Sequence, residues 1–235
     1  MADIKFWYAP GACSLAPHVL LQEIRIPFHP IETSFVKGAH LTDEFARINP
    51  KKRLPVLSLD GEVITEVPAI ATTIANLAPE RHLMGRTALD HVRVYEWMIW
   101  LSGTLHGQGF GGLWRLERFS DDPVAFDGIR AKGRRTILDC FQLIERKVMT
   151  PYSVGDGFTA VDPYLLVFYR WGNGVGIDMS DACPRYTAFA RELVQRESVK
   201  AALEAEGIGH QALRDHVPEL SPAASATSSV KGNAS

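Results

Sequence analysis

The chain has 235 residues, 46% hydrophobic and 22% charged, with a formal net charge of −2 at pH 7. Such a balance is expected of a folded, soluble protein, long for one domain and comfortable for two of about 80 and 130 residues. It excludes a basic surface for nucleic acid. No apolar run approaches the roughly 20 residues that cross a bilayer, and Cys13, Cys140 and Cys183 are too scattered for a disulfide framework or a zinc site.

In chain order, Ile4 to Tyr8 is a short apolar strand ended by Pro10-Gly11, and Leu15 to Ile24 repeats apolar residues at helical spacing. Phe28 to Ile31 is expected as a second strand and Leu41 to Ile48 as a short helix stopped by Asn49-Pro50. Leu54 to Leu59, Asp60-Gly61, and Glu62 to Thr65 spell a hairpin, because Asp-Gly accepts the positive φ of a tight turn. Pro55 belongs at a strand start, where a cis peptide is at home. A helix from Glu66 to Leu77 completes a βαβαββα order, a small sheet with one parallel pair and a hairpin at its edge.

Residues 78–86 form a linker, and beyond it the period is helical. Helices are expected over Thr87 to His106, Val124 to Met149, from Thr159, and near 184–195 and 198–206. Thr159-Ala-Val-Asp162 reads as a capping box, with the hydroxyl serving an early backbone N–H and the carboxylate reaching back. Residues 218–235, poor in bulky apolar side chains, are expected to be disordered.

Cys13 follows a strand and a Pro-Gly turn at the mouth of a helix, where free N–H groups and the helix dipole stabilise a thiolate. A lone cysteine is equally a small buried hydrophobe. Ala16 stands where a dithiol motif needs its second cysteine, so dithiol redox chemistry is disfavoured. Leu54, before Pro55, offers backbone groups to an extended ligand, and the helix opening at Glu66 can hold a carboxylate on its N–H groups. Ser14 is a donor candidate or a helix cap, and Tyr8 a donor or, by preference, packing. Phe110, Trp114 and Arg115 adjoin the glycine-rich Gly107 to Gly112. Glycines at a helix break beside aromatics suggest a wall for an apolar co-substrate, or else a kink that serves packing.

Taken in order, Tyr8-Ala-Pro-Gly-Ala-Cys-Ser-Leu-Ala-Pro-His18, Ile48-Asn-Pro-Lys51, Leu54-Pro-Val-Leu57, Thr65-Glu-Val-Pro-Ala-Ile70 and Phe158-Thr-Ala-Val-Asp162 resemble a cytosolic glutathione transferase, nearest the beta class. The resemblance spans about residues 3–207. It implies a thioredoxin-like α/β domain (1–80) followed by an all-helical domain (87–215), assembled as a cytoplasmic homodimer without a metal. It further implies that Cys13 faces the sulfur of glutathione, that Leu54 before cis-Pro55 pairs with its backbone, and that Glu66 and Val67 hold its γ-glutamyl end. Lys37 would reach the glycyl carboxylate and His106 the thiol, with Cys13 and His106 as the catalytic pair.

The expected reaction is detoxifying attack of a glutathione thiolate on a small hydrophobic electrophile. Glutathione-dependent reduction, dehalogenation or biosynthetic tailoring, and a non-catalytic binding role, are the alternatives. At three positions the chain departs from its relatives. Val67 replaces a serine, Ile99 stands for an asparagine and Gly107 for a basic residue, which implies fewer polar groups around the thiol.

Overall fold

The computed structural model describes residues 2–209 and Leu213. The expected disordered segment 218–235 lies outside them. Four strands form one sheet in the order β2-β1-β3-β4, with β1 at Ile4–Tyr8, β2 at His29–Glu32, β3 at Val56–Leu59 and β4 at Glu62–Thr65. β1 and β2 are parallel, with Lys5 opposite His29, while β1/β3 and β3/β4 are antiparallel. The hairpin forms where expected, with Asp60 at φ 51° and Gly61 at φ 92°. The second strand starts one residue later than the apolar pattern indicated.

Alternation along β1 sends Ile4, Phe6 and Tyr8 into the core, against α1 (Leu15–Ile24) and α3 (Val67–Leu77). Trp7 faces a second apolar cluster of Ala9, Phe45, Leu54 and Val56. Phe45 comes from α2 (Asp43–Ile48), which is shorter than expected because Thr42 caps it, accepting the Phe45 N–H at 3.2 Å. Residues 39–41 form a separate 3₁₀ turn. These elements make the thioredoxin-like layer that the resemblance implied.

The remainder is helical: α4 (Ala88–Trp100), α5 (Gly111–Trp114), α6 (Phe126–Lys147), α7 (Val161–Gly174), α8 (Met179–Ala182), α9 (Pro184–Leu193) and α10 (Glu197–Ala205). No helix among the described residues is long and apolar enough to cross a membrane. α7 runs through the middle, with every residue from Val161 to Gly172 buried. The glycine stretch does not break its helix. Residues 101–110 continue α4 as widened π-helical turns that lead straight into α5.

Those glycines serve backbone contact with α6. A Cβ on Gly133 would lie 2.8 Å from the Gly109 carbonyl oxygen and 3.0 Å from the Gly112 carbonyl carbon. Both obstacles are backbone, so the helices would have to separate. Gly133→Ala is expected to cost about 1–3 kcal/mol, read as a lowered midpoint in urea. An unchanged midpoint would show that the two helices yield freely.

Candidate active site

The turn from β1 to α1 places the first candidate. Pro10-Gly11 reverses the chain, with Gly11 at φ 72°, a conformation that suits glycine. Ser14 is fully buried; its Oγ donates to the Ala9 carbonyl at 3.0 Å and accepts the Ala9 N–H at 3.1 Å. It is therefore a brace for the turn, neither a free donor nor a cap of α1. Tyr8 stacks on Phe6 at 6.0 Å between centroids and is buried, in keeping with packing.

Cys13 sits just before α1, 7% exposed, its Sγ 3.7 Å from the Leu54 carbonyl. Burial pushes its thiol up to about 12 against the opposing pull of the Cys13 and Ser14 N–H groups, with Glu66 adding to the rise and Arg115 opposing it. The expectation of a stabilised thiolate is thus corrected: at this helix mouth desolvation outweighs the dipole. Iodoacetamide is expected to modify Cys13 slowly at pH 7.5. The rate should keep climbing about tenfold per pH unit to pH 10 and beyond, following the thiolate fraction. A plateau below pH 8.5 in peptide-resolved alkylation would contradict it.

The hairpin brings the other half. The Leu54-Pro55 peptide is cis, as expected, and both residues are buried beside the Cys13 turn. Glu66 takes φ 74° and ψ 128°, a conformation that costs a non-glycine residue about 1–3 kcal/mol and is concentrated at functional sites. It turns the chain so that α3 begins at Val67, beside Glu66. Lys51 Nζ pairs with the Glu66 carboxylate and donates to Thr65 Oγ1 at 2.6 Å. Lys37 is exposed on the loop after β2, where its own N–H bonds Ser34 Oγ at 3.2 Å.

His106 lies within the π-helical turns, partly buried, its ring 5.1 Å from Trp171 and 6.0 Å from Phe168. Burial first, then Arg118, Arg115 and Arg53, drive its pKa down to about 4. The imidazole is neutral at pH 7.

Phe110 does not form a crevice wall. It is fully buried, 4.9 Å from Trp114 and 5.1 Å from Trp171 between ring centroids. Trp114 and Arg115 are only partly buried, and the Arg115 guanidinium lies 6.0 Å from the centroid of Phe35. Ile99, at 64% exposure, belongs to an outward face of α4. Ser102, three residues on, is the polar residue that turns inward, its Oγ 3.1 Å from Tyr164 Oη.

Tyr164, Arg53 and Arg118 were not among the sequence candidates. Tyr164 is buried, and burial followed by Cys13 and Glu66 raises its pKa. A tyrosine hydroxyl in the apolar run of α7, and the charge run Lys51-Lys52-Arg53, were the available signals. Two cavities, of about 310 and 540 Å³, gather around Glu23, Arg81 and Arg196, and none of the candidates lines either. Arg196 is already bidentate with Glu23 there, at 2.8 and 2.7 Å. No group of metal-ligating side chains occurs among the described residues.

Residues 2–76 match the family described as the amino-terminal domain of glutathione S-transferase. The glutathione S-transferase GstA of Escherichia coli O157:H7 is 30% identical over 210 residues, covering 87% of this chain and all of that protein. Among solved structures, a glutathione transferase homologue from Sulfitobacter with bound glutathione superposes with a TM-score of 0.82 at 28% identity, covering 89% of this chain and 100% of the other. A bacterial beta-class enzyme from Sphingomonas chungbukensis gives 0.75 at 31% identity, covering 87% and 100%.

Proposed function

Because the chain belongs to the glutathione transferase family, near the beta class, we propose that it binds glutathione beside Cys13 and transfers it to a small electrophile. The observation that carries this reading is the Cys13 turn lying against Leu54, the residue before cis-Pro55, with the carboxylate of Glu66, at the strained opening of α3, close enough to act on the Cys13 thiol. A tripeptide laid along Leu54 gains backbone pairing. Its γ-glutamyl carboxylate meets the N-terminus of α3 at Val67 and its ammonium the Glu66 carboxylate, while Lys37 takes the glycyl end. Residues 1–80 supply this half, and residues 87–215 supply the co-substrate half.

The chemistry follows from charge. Near neutral pH a thiol ionises in a cationic field. Arg53, Arg115 and Arg118, which push the proton off His106, equally favour a thiolate there. With its pKa near 4 His106 is a poor proton acceptor, so its neutral N–H donates to the glutathione sulfur and the thiol proton leaves to solvent. The thiolate forms a carbon–sulfur bond, and the leaving group departs with its bonding electron pair. Cys13, held as a neutral thiol, donates to nearby oxygen or sulfur. This favours transfer over a cysteine-centred reduction.

Thermal unfolding against a glutathione titration tests the reading. At 100 times its dissociation constant a ligand stabilises by about 2.7 kcal/mol, which for a chain of this size raises Tm by roughly 5–11 °C. A flat melting temperature at millimolar glutathione would overturn it.

The assembly is read as a homodimer in a cytoplasmic setting. Leu89, Val92, Tyr95 and Ile99 lie three or four residues apart on α4 and are 62%, 59%, 40% and 64% exposed. An apolar stripe of this kind needs cover, and the resemblance supplies a second copy of the chain. Sedimentation is expected at twice the chain mass, and Val92→Asp should weaken the dimer at least tenfold, about 1.4 kcal/mol. A monomeric parent protein would refute it.

A further inference from the structure

The larger cavity, of about 540 Å³, lies where three parts of the chain meet: the end of α1, the 3₁₀ turn Pro79–Arg81, and the start of α10. Three arginines line it, Arg25, Arg81 and Arg196, together with the acids Glu23 and Glu197. Cys13 and the other glutathione candidates are absent from its walls.

Both acids are already engaged. Glu23 accepts Arg196 Nε and Nη2 at 2.8 and 2.7 Å, and the Ser198 hydroxyl at 2.6 Å. Glu197 pairs with Lys200 at 3.0 Å. The Arg196 guanidinium also lies 4.1 Å from the centroid of Phe158, so it is a fixed wall.

Arg25 and Arg81 differ. Among the described residues, neither side chain has an ion pair or a hydrogen bond. Burial raises the Glu23 pKa, the bonds from Arg196 and Ser198 bring it down, and Arg81 adds to the fall from beyond bonding distance. One carboxylate thus answers two guanidinium groups, and no acid is bonded to Arg25. The cavity and its ion pairs hold four cations, Arg25, Arg81, Arg196 and Lys200, against two carboxylates.

A single exposed arginine is ordinarily a solvated charge. Two that share a concave wall, where the carboxylates are engaged by other cations, suit an incoming dianion. A phosphate monoester carries nearly two charges near neutral pH and three terminal oxygens. It can take forked bonds from two guanidinium groups, whereas a carboxylate is satisfied by one. The volume is that of a small-molecule site and leaves room for more than the phosphate group. Gln22, whose carboxamide has no hydrogen-bond partner among the described residues, lines that remaining space.

We propose that this cavity binds the phosphate group of a small phosphorylated metabolite through Arg25 and Arg81, at a site separate from that of glutathione. Arg25 comes from the thioredoxin-like part, Arg81 from the linker and Arg196 from the helical part, so the occupant ties the two parts together.

Calorimetric titration of the full chain with glycerol 3-phosphate, at pH 7.5 and fixed ionic strength, tests this. One saturable site is expected, and Arg25→Gln with Arg81→Gln should weaken it at least tenfold. Both side chains are exposed and unpaired, so the double variant is expected to melt within about 2 °C of the parent. Excess glutathione should leave the parent's affinity for glycerol 3-phosphate unchanged, and succinate should bind at least tenfold more weakly.

A parent protein without a saturable site overturns the proposal. Equal affinity in the double variant, or displacement by glutathione, does the same by placing the phosphate elsewhere. Succinate bound as tightly as glycerol 3-phosphate would refute the choice of phosphate. None of these results depends on turnover, so the site stands or falls apart from the transferase reading.

Discussion

Replacing Asp162 by alanine is expected to lower the melting temperature by roughly 8–16 °C and to cut the yield of refolded protein, because about 4 kcal/mol is lost from the middle of the helical half. Asp162 is fully buried on the first turn of α7, and its carboxylate gathers four donors. Oδ1 accepts the Ser153 N–H at 2.8 Å and the Ser153 hydroxyl at 2.6 Å; Oδ2 accepts the Thr159 N–H at 2.6 Å and the Thr159 hydroxyl at 3.3 Å. Burial pushes its pKa up to about 6 against the pull of those donors, so at pH 7 it is a carboxylate and all four bonds are charge-assisted.

Alanine would leave two buried backbone N–H groups without an acceptor, each costing about 1–3 kcal/mol. Asparagine keeps one carbonyl and loses the charge, so Asp162→Asn should fall between. Its linkage has a definite sign. A carboxyl with a pKa raised in the folded state binds more protons folded than unfolded. The parent protein's contribution from this group is therefore fully present below the unfolded value and declines as pH rises to about 6. Calorimetric melting of the three proteins at pH 7 checks the ranking, and an Asp162→Ala protein melting within 2 °C of the parent would refute it.

The same residue shows what the linear chain discloses. The spacing Thr159 to Asp162 announced a carboxylate reaching back to the Thr159 N–H, and it does. The hydroxyl, expected to accept a backbone N–H, donates to the carboxylate instead, and Ser153 enters from nine residues upstream. Local rules operate within about four residues, so the hairpin turn at Asp60-Gly61 and the cis-proline ahead of β3 were legible.

That Phe110 serves packing and not a crevice wall was not decided by the sequence. A helix position taken from spacing assumes 3.6 residues per turn, and this helix widens into π turns over residues 101–110. The glycines that signal the widening answer to Gly133 on another helix. Between the two readings of Cys13 the sequence could not choose, for a different reason. Its place before α1 is visible in the sequence, but the lid of Leu54 that desolvates it comes from 41 residues away. Tyr164 meets Ser102 across 62 residues, and neither residue type announces the other.

Glu206→Ala is expected to be as damaging as the loss of Asp162, and in addition to raise KM for glutathione in the protein that still folds at low temperature. Glu206 follows α10 and has a fully buried carboxylate. One oxygen lies 2.8 Å from His18 Nδ1 and the other accepts the Gly11 N–H at 2.8 Å. A carboxylate only accepts, so His18 donates from Nδ1. Trp171 Nε1 donates to the Gly11 carbonyl at 2.9 Å. The turn that presents Cys13 is thereby held at the N–H and the carbonyl of Gly11 by residues 195 and 160 positions away.

Removing one partner of a buried pair costs about 3–5 kcal/mol, because the groups left behind keep their desolvation without their bond. A loosened Gly11 also frees Ala12 and Cys13 to drift from Leu54, which is where glutathione is proposed to lie. Glu206→Gln retains an acceptor for one of the two donors and should lose about half the stability. Melting curves and glutathione saturation kinetics at 15 °C separate the two effects. A destabilised Glu206→Ala protein with an unchanged KM for glutathione would confine this carboxylate to holding α10 in place and deny it any part in setting the active-site turn.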